Sequence, residues 1–246
     1  MLSAVKGMVK KIVQGPKASP EAYVRHLREA GARIGNDVII YAPAHTLIDE
    51  SYPWMLSIGD HVRICQGVIL LAHDYAWSVL KVAKQGRILG ASGRVTIGNN
   101  VFIGMNTIVT RGITIGNHVI IGAGSVVTKD CQDNGVYAGN PARRIAELDD
   151  YLKKRTEAQV EEARELAVAY EERFHQQPPK EIFHEYFMLF ESAESARKQA
   201  WCREKMRLGG NEAESSLFME ENERPFKDYE AFMAFCFQGR SKDATT

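Results

Sequence analysis

No run of apolar residues in this sequence approaches the ~20 that a membrane-spanning helix needs. Nor does one sign of charge prevail: 31 lysines and arginines face 31 aspartates and glutamates. A chain without net charge has no overall field to draw in nucleic acid, which argues against that class of partner. Cysteine is scarce. Cys65, Cys131, Cys202 and Cys236 stand far apart with no CxxC pair, which reads as reduced thiols in a cytoplasm rather than a disulfide framework. The opening MLSAVKGMVKKIVQGP has no long uninterrupted apolar core of the signal-peptide kind. Its Leu2, Val5, Met8, Val9, Ile12 and Val13 fall at helical spacing, with Lys6, Lys10 and Lys11 off the stripe. Residues 1-13 are expected to be a helix packed on its own protein. Weak association with the inner face of a membrane is the other reading, and three lysines give it little lipid attraction.

What the sequence has is a beat of six. From Val95 to Asp130, Ile97, Ile103, Val109, Ile115, Ile121 and Val127 recur without a slip. The beat starts at Ile34 and Ile40, breaks over HTLIDESYPWML, resumes at Ile58, Ile64 and Leu70, and breaks again from Ala76 to Arg94. A fixed period takes precedence over local assignments, and six suits neither a helix nor a hairpin. Short strands joined by two-residue corners, three to a turn, would stack as parallel strands ~4.8 Å apart. Glycines after the isoleucines and the asparagines of GNN and GNH suit corners with left-handed backbone angles. Val101, Thr107, Val119 and Ser125, at the fifth position, are expected to point inward.

IGNNVFIG, IGNHVIIGAGSVVTKD and the closing AGNPARRI resemble the hexapeptide-repeat acyltransferases, over about Ile34 to Ile145. The ending GAGSVVTKD with GNPAR resembles the maltose/galactoside and xenobiotic acetyltransferase branch. YPWMLSIGDHVRI with ILLAHDYAWSVL is similar to sugar O-acetyltransferases of bacterial capsule and O-antigen clusters. The resemblance implies a mainly β fold, a left-handed parallel β-helix. The handedness comes from the resemblance alone, since the general rule for parallel crossovers favours the right-handed form.

The expected organisation is an N-terminal helical segment (1-33), a β-helix catalytic domain (34-145) with loops near 46-57 and 73-94, a C-terminal helical extension (146-240) and a tail (241-246). Ser19 and Pro20 open a helix over Glu21 to Ala30, with Gly31 as its stop. After Ile145 a helical stripe runs from Leu148 to Phe174. QQPPKE is a turn, Glu181 to Arg207 a second helix, GGNEAESS a loop, and FKDYEAFMAFCF a third helix. Phe183, Tyr186, Phe187 and Phe190 are expected as core or subunit contact.

His73 follows the last regular strand before the long break, where a rigid scaffold would hold a loop side chain. Imidazole, with an ordinary pKa of ~6.5, serves as a base near neutral pH. The resemblance makes His73 the base that takes an alcohol proton for direct attack on a thioester, with backbone amides stabilising the oxyanion. Asp74 follows and would orient the imidazole, although neighbours on an extended segment point apart. Asp49, Tyr52, Trp54, Tyr75 and Trp77 divide between sugar contact and loop anchoring; Asp49, Trp54, Asp74, Tyr75 and Trp77 form the acceptor set.

The donor that the resemblance implies is acetyl-CoA, in a groove between adjacent prisms of a homotrimer. Met105, Ala123, Thr128, Lys129 and Arg143 match donor-contacting positions; Arg144 is adjacent to a matched one. Arginine suits phosphate through its planar fork. Phe102 stands where many relatives carry tryptophan, and Arg143 where they carry lysine. The implied activity is O-acetylation of a sugar, free or lipid-linked, for a surface polysaccharide, with no metal. The alternatives are an N-acetyltransferase of an aminosugar or antibiotic, a non-catalytic scaffold, and a zinc enzyme of the carbonic-anhydrase kind. The pattern of that zinc enzyme places two of its three histidines five apart, and five residues beyond His118 stands Ala123.

Overall fold

The computed structural model describes residues 13–239. The expected helix over residues 1-13 and the tail at 241-246 fall almost wholly outside that range. The chain forms two compact units that divide between Tyr151 and Leu152. Among the described residues no helix is long and apolar enough to cross a membrane.

The first unit opens with α1 (Pro20–Glu29), capped by the Ser19 hydroxyl, which accepts the Ala22 N–H at 3.2 Å. Tyr23, Val24 and Leu27 form its buried face. Twelve short strands follow: β1 (Arg33–Ile34), β2 (Ile39–Ile40), β3 (Leu47–Ile48), β4 (Leu56–Ile58), β5 (Arg63–Ile64), β6 (Ile69–Leu70), β7 (Val95–Ile97), β8 (Val101–Ile103), β9 (Ile108–Val109), β10 (Thr114–Ile115), β11 (Val119–Ile121) and β12 (Val126–Val127). Every third strand stacks in parallel, giving a first sheet β1-β4-β7-β10 and a third sheet β3-β6-β9-β12. The second sheet, β2-β5-β8-β11, continues into β13 (Gly135–Gly139) and the antiparallel β14 (Ala142–Glu147). These are the three walls of a prism. Ile97, Ile103, Val109, Ile115, Ile121 and Val127, the six-residue beat, are all at most 2% exposed inside it. Each buried side chain of this size contributes about 1.5–3 kcal/mol. Thr107 and Ser125 are also fully buried, and both hydroxyls donate to the Gly122 carbonyl, which removes the cost of burying them.

The corners between the first and second walls correct one expectation. The left-handed residues are Asp37, His61, Asn100, His118 and Asn134, so in GNH the histidine turns the chain. Asn117 does something else: its side chain accepts the Asn99 N–H at 2.9 Å, one rung of a ladder in which Asn99 accepts from Asp60 and Asp60 from Asn36. The glycines after the isoleucines are not left-handed either. A Cβ on Gly98 would stand 2.7 Å from the Gly116 carbonyl oxygen, so glycine is required there by close stacking of coils.

The second unit is helical. α3 (Leu148–Phe174) leads into it, and α4 (Ala193–Lys198), α5 (Ala200–Met206), α6 (Glu212–Glu221) and α7 (Tyr229–Cys236) follow. The single helix expected over 181–207 is broken. Two 3-10 turns, Lys180–Phe183 and Phe187–Leu189, precede α4, whose cap is Ser192. Buried Glu191 pairs with Lys180 at 2.8 Å at the break, a contact that a continuous helix would pull apart. GGNEAESS is a loop only at its start; Glu212 and Glu214 fill the first turn of α6, where acidic side chains suit the helix dipole. Phe183, Phe187 and Phe190 are buried with Phe232, ring to ring at 5.1 Å for Phe183 and 5.2 Å for Phe190.

Candidate active site

Two loops leave the prism at the same corner, between the third and first walls. Ile48 and Leu70 are in register at the ends of β3 and β6. Beyond Ile48 the chain bends through a 3-10 turn at Pro53–Met55 before rejoining as β4. Beyond Leu70 it makes a longer excursion that carries a short helix, α2 (Trp77–Ala83), and returns at β7. Two hydrogen bonds close its base: the Asp74 N–H donates to the Ala91 carbonyl at 3.0 Å, and the Gly93 N–H to the Ala72 carbonyl at 2.9 Å. His73 sits between them, bridged to Ser92.

The stacked register brings Asp49 beside His73. Asp49 Oδ2 accepts the hydrogen bond of His73 Nδ1 and that of the Ala72 N–H at 3.0 Å, while Oδ1 accepts the Ser51 N–H at 3.0 Å. The carboxylate is 6% exposed and the imidazole 18%. Burial alone would raise the Asp49 carboxyl, but the hydrogen bonds from Ser51, His73 and Ala72 together hold it below its ordinary value. An ionised carboxylate only accepts, so the shared proton belongs to Nδ1, and in the neutral ring Nε2 is the acceptor nitrogen. Such a pair has the chemistry to accept a proton at Nε2.

Asp74 does not orient His73. It faces the other way, as alternation along an extended segment requires, and pairs with Arg111 at 2.5 Å on the neighbouring corner. That pair holds the Asp74 carboxyl below its ordinary value. Arg111 carries no signal in the sequence, because the corner position it occupies becomes a neighbour of Asp74 only once the coils stack.

Aromatic rings pack against the imidazole. Tyr52 meets His73 edge to face at 5.5 Å and Tyr75 at 5.0 Å. Trp54 extends the row from Tyr52 at 5.7 Å, and Trp77 from Tyr75 at 6.2 Å. Trp54 and Tyr75 are each about two-thirds exposed, at 63% and 66%. Of the acceptor set, exposed Trp54 and Tyr75 and half-buried Trp77 therefore join one chain of ring contacts that includes His73, while Asp49 is buried.

The donor set falls on two different edges of the prism. Met105 and Ala123 are exposed on stacked corners between the second and third walls, tied by the Gly124 N–H to the Met105 carbonyl at 2.8 Å. Thr128 and Lys129 are exposed on the corner between the third and first walls, the edge that carries His73. Arg143 and Arg144 separate. The Arg144 guanidinium is engaged by the carbonyls of Asp133 at 3.2 Å and Asn134 at 2.9 Å and by Glu147. Arg143 is exposed and spends a single hydrogen bond on the Ala142 carbonyl at 2.9 Å. Phe102 lies on the outer face of the second wall beside Arg63, away from the His73 corner. Among the described residues no three His, Cys, Asp or Glu side chains gather as a metal-binding group; His118 is an exposed corner residue.

The family model described as bacterial transferase hexapeptide (six repeats) matches residues 94–129. Protein CapG of Staphylococcus aureus is 41% identical over 128 residues, covering 52% of this chain and 73% of that protein. Galactoside O-acetyltransferase of Escherichia coli (strain K12) is 34% identical over 148 residues, covering 60% of this chain and 68% of that protein. Among solved structures, a galactoside acetyltransferase in complex with coenzyme A aligns with a TM-score of 0.43 at 32% identity, over 54% of this chain and 73% of that one.

Proposed function

The chain belongs to the hexapeptide-repeat acetyltransferases, and from that premise we propose that it acetylates a sugar hydroxyl, with His73 as the general base and acetyl-CoA as the donor. Membership carries the hand of the coil, a left-handed parallel β-helix. The observation that carries the proposal is the Asp49–His73 pair, which leaves Nε2 of a partly buried imidazole open beside exposed aromatic rings. The kinship to a galactoside O-acetyltransferase supports a sugar as the acceptor, and the row of Trp54, Tyr52, Tyr75 and Trp77 suits the apolar face of a pyranose.

Acetyl-CoA supplies the acyl group as an activated thioester. His73 Nε2 accepts the proton of the sugar hydroxyl as its oxygen attacks, and gives that proton to the departing sulfur. Asp49 holds the ring in one tautomer and stabilises the imidazolium between those two moments. Arg143, with most of its donors uncommitted, suits the donor's phosphates. Met105 and Ala123 would contribute backbone groups, and Thr128 and Lys129 the opposite rim.

The split of the donor set over two edges supports a homotrimer. A groove between two prisms takes one edge from each, so Met105 and Ala123 of one copy face Thr128 and Lys129 of the next. The third wall, which lies between those edges, turns Leu47, Ile69, Ile108 and Val126 outward in one aliphatic column, and Leu47 is half exposed. A three-fold ring would cover that column.

Thiol release from acetyl-CoA, followed against sugars, nucleotide sugars and lipid-linked saccharides with the product hydroxyl located by NMR, tests the reaction. Acetyl ester on a sugar is expected; acetyl amide as the sole product would refute the hydroxyl assignment. Sedimentation tests the assembly, and a fully active monomer at micromolar concentration would refute the groove.

A further inference from the structure

Beyond Asp74, the excursion between β6 and β7 carries charge of one sign. From Tyr75 to Arg94 it holds Lys81, Lys84, Arg87 and Arg94 and no aspartate or glutamate, in a chain whose charges cancel. All four are exposed, and none forms an ion pair or side-chain hydrogen bond among the described residues. Cations gathered in one segment with no acidic partner give it a local field that attracts an anion.

Two of the four extend the aromatic row. Trp77, the first residue of α2, meets Tyr75, which meets His73. Lys81 follows Trp77 at i+4 and so lies on the same face of α2, and Lys84 is the residue that ends the helix, its N–H donating to the Leu80 carbonyl at 2.8 Å. Val79 and Val82 point from the opposite face. With a rise of ~1.5 Å per residue, the two lysines stand about 6 and 10 Å along the axis beyond the Trp77 position. A sugar ring stacked on Tyr75 or Trp77, with a hydroxyl at His73 Nε2, would therefore direct a substituent on its far side toward both ammonium groups.

We propose that the acceptor is an anionic saccharide, its ring resting on the Tyr75–Trp77 row and its phosphate or carboxylate held by Lys81 and Lys84. The proposal rests on the reading of His73 as the base of a sugar acetyltransferase and adds the charge class of the substrate. Lysine suits either anion as a point charge at the end of a flexible stem.

The test compares kcat/KM for acceptors in matched pairs: a nucleoside-diphosphate sugar and a lipid-diphosphate sugar, each against the methyl glycoside of the same sugar, and an oligouronate against its carboxyl-reduced form. The wild type is expected to prefer the anionic member of at least one pair by about tenfold, the size of effect that two partly screened charge contacts give, and the pair preferred identifies the source of the charge. The double variant Lys81→Glu/Lys84→Glu should abolish that preference through KM, with its melting curve unchanged because both side chains are exposed and unpaired. Lys153→Glu on α3 should keep the preference. Equal use of both members of every pair, or a preference that survives the double reversal, overturns the proposal while leaving sugar acetylation intact. Absence of acetyl transfer to any saccharide overturns the sugar-acceptor reading and the proposal together.

Discussion

Asp49 reaches His73 from 24 residues earlier in the chain, across the step from one coil to the next, and binds Nδ1 with the oxygen that also takes the Ala72 N–H. A backbone bond thus fixes the carboxylate that fixes the imidazole. Asp49→Asn keeps the shape but removes the charge that selects the tautomer and supports the imidazolium. It should lower kcat by about 10²-fold or more, the loss expected when a base is held in the wrong tautomer. Asp74→Asn breaks only a solvent-screened pair with Arg111 and should cost less than about fivefold. Steady-state kinetics on both variants decide the matter, and the reverse order of effects would contradict the geometry.

Acid stability carries the same signature. The Asp49 carboxyl is held below its ordinary value, so the stability it contributes is fully present above about pH 4 and is lost as the pH falls through its folded-state value. Urea unfolding of the wild type and Asp49→Asn at a series of pH values should show a difference that shrinks on acidification. A difference that widens would mean that burial, not hydrogen bonding, governs this group.

Gly98→Ala tests why the corners need glycine. A Cβ there would overlap the Gly116 carbonyl and lie 2.8 Å from Asn117 Oδ1, so the coils must part. The cost should be about 1–3 kcal/mol or more, as for other overpacked sites. Asn100→Gly, at a left-handed corner, should be tolerated within about 1 kcal/mol. Equal melting shifts for the two would remove the distinction between close stacking and backbone angle.

Arg143 and Arg144 should part in the same way. Arg143→Ala is expected to raise the KM for acetyl-CoA several-fold with little change in kcat and no change in melting, as loss of uniform binding does. Arg144→Ala strips the Asp133–Asn134 turn of its partner and should lower the melting temperature with the KM preserved. A KM effect confined to Arg144 would reverse the assignment.

The prism was legible because an aliphatic residue every sixth position has one use, and the residues of that beat are the ones buried. The corner chemistry was half legible: glycine and asparagine marked the corners, but which residue turns and which bonds across coils depends on contacts between turns of the prism. His73 was legible as a candidate from its place at a break and from resemblance. Its partner was not. Val101 pairs with Val119, 18 residues on, whereas Leu47 pairs with Ile69, 22 residues on, because the residues inserted after Ile48 shift the register. Asp49 is therefore out of step with the beat that would have placed it under His73. In the second unit the helix expected over 181–207 failed because helical periodicity does not report a pairing such as that of buried Glu191 with half-buried Lys180.

The central claim is that His73 is the base, and the most direct measurement is acetyl transfer by His73→Ala and His73→Asn beside calorimetric binding of CoA, with His118→Ala, an exposed corner residue, as the control. Both His73 variants should keep the wild-type melting transition and CoA affinity while kcat falls by about 10²–10⁴-fold, the range for a lost positioned base, and His118→Ala should be unaffected. Folded His73 variants that retain more than about a tenth of the wild-type kcat, above the range for a lost base, would contradict the account.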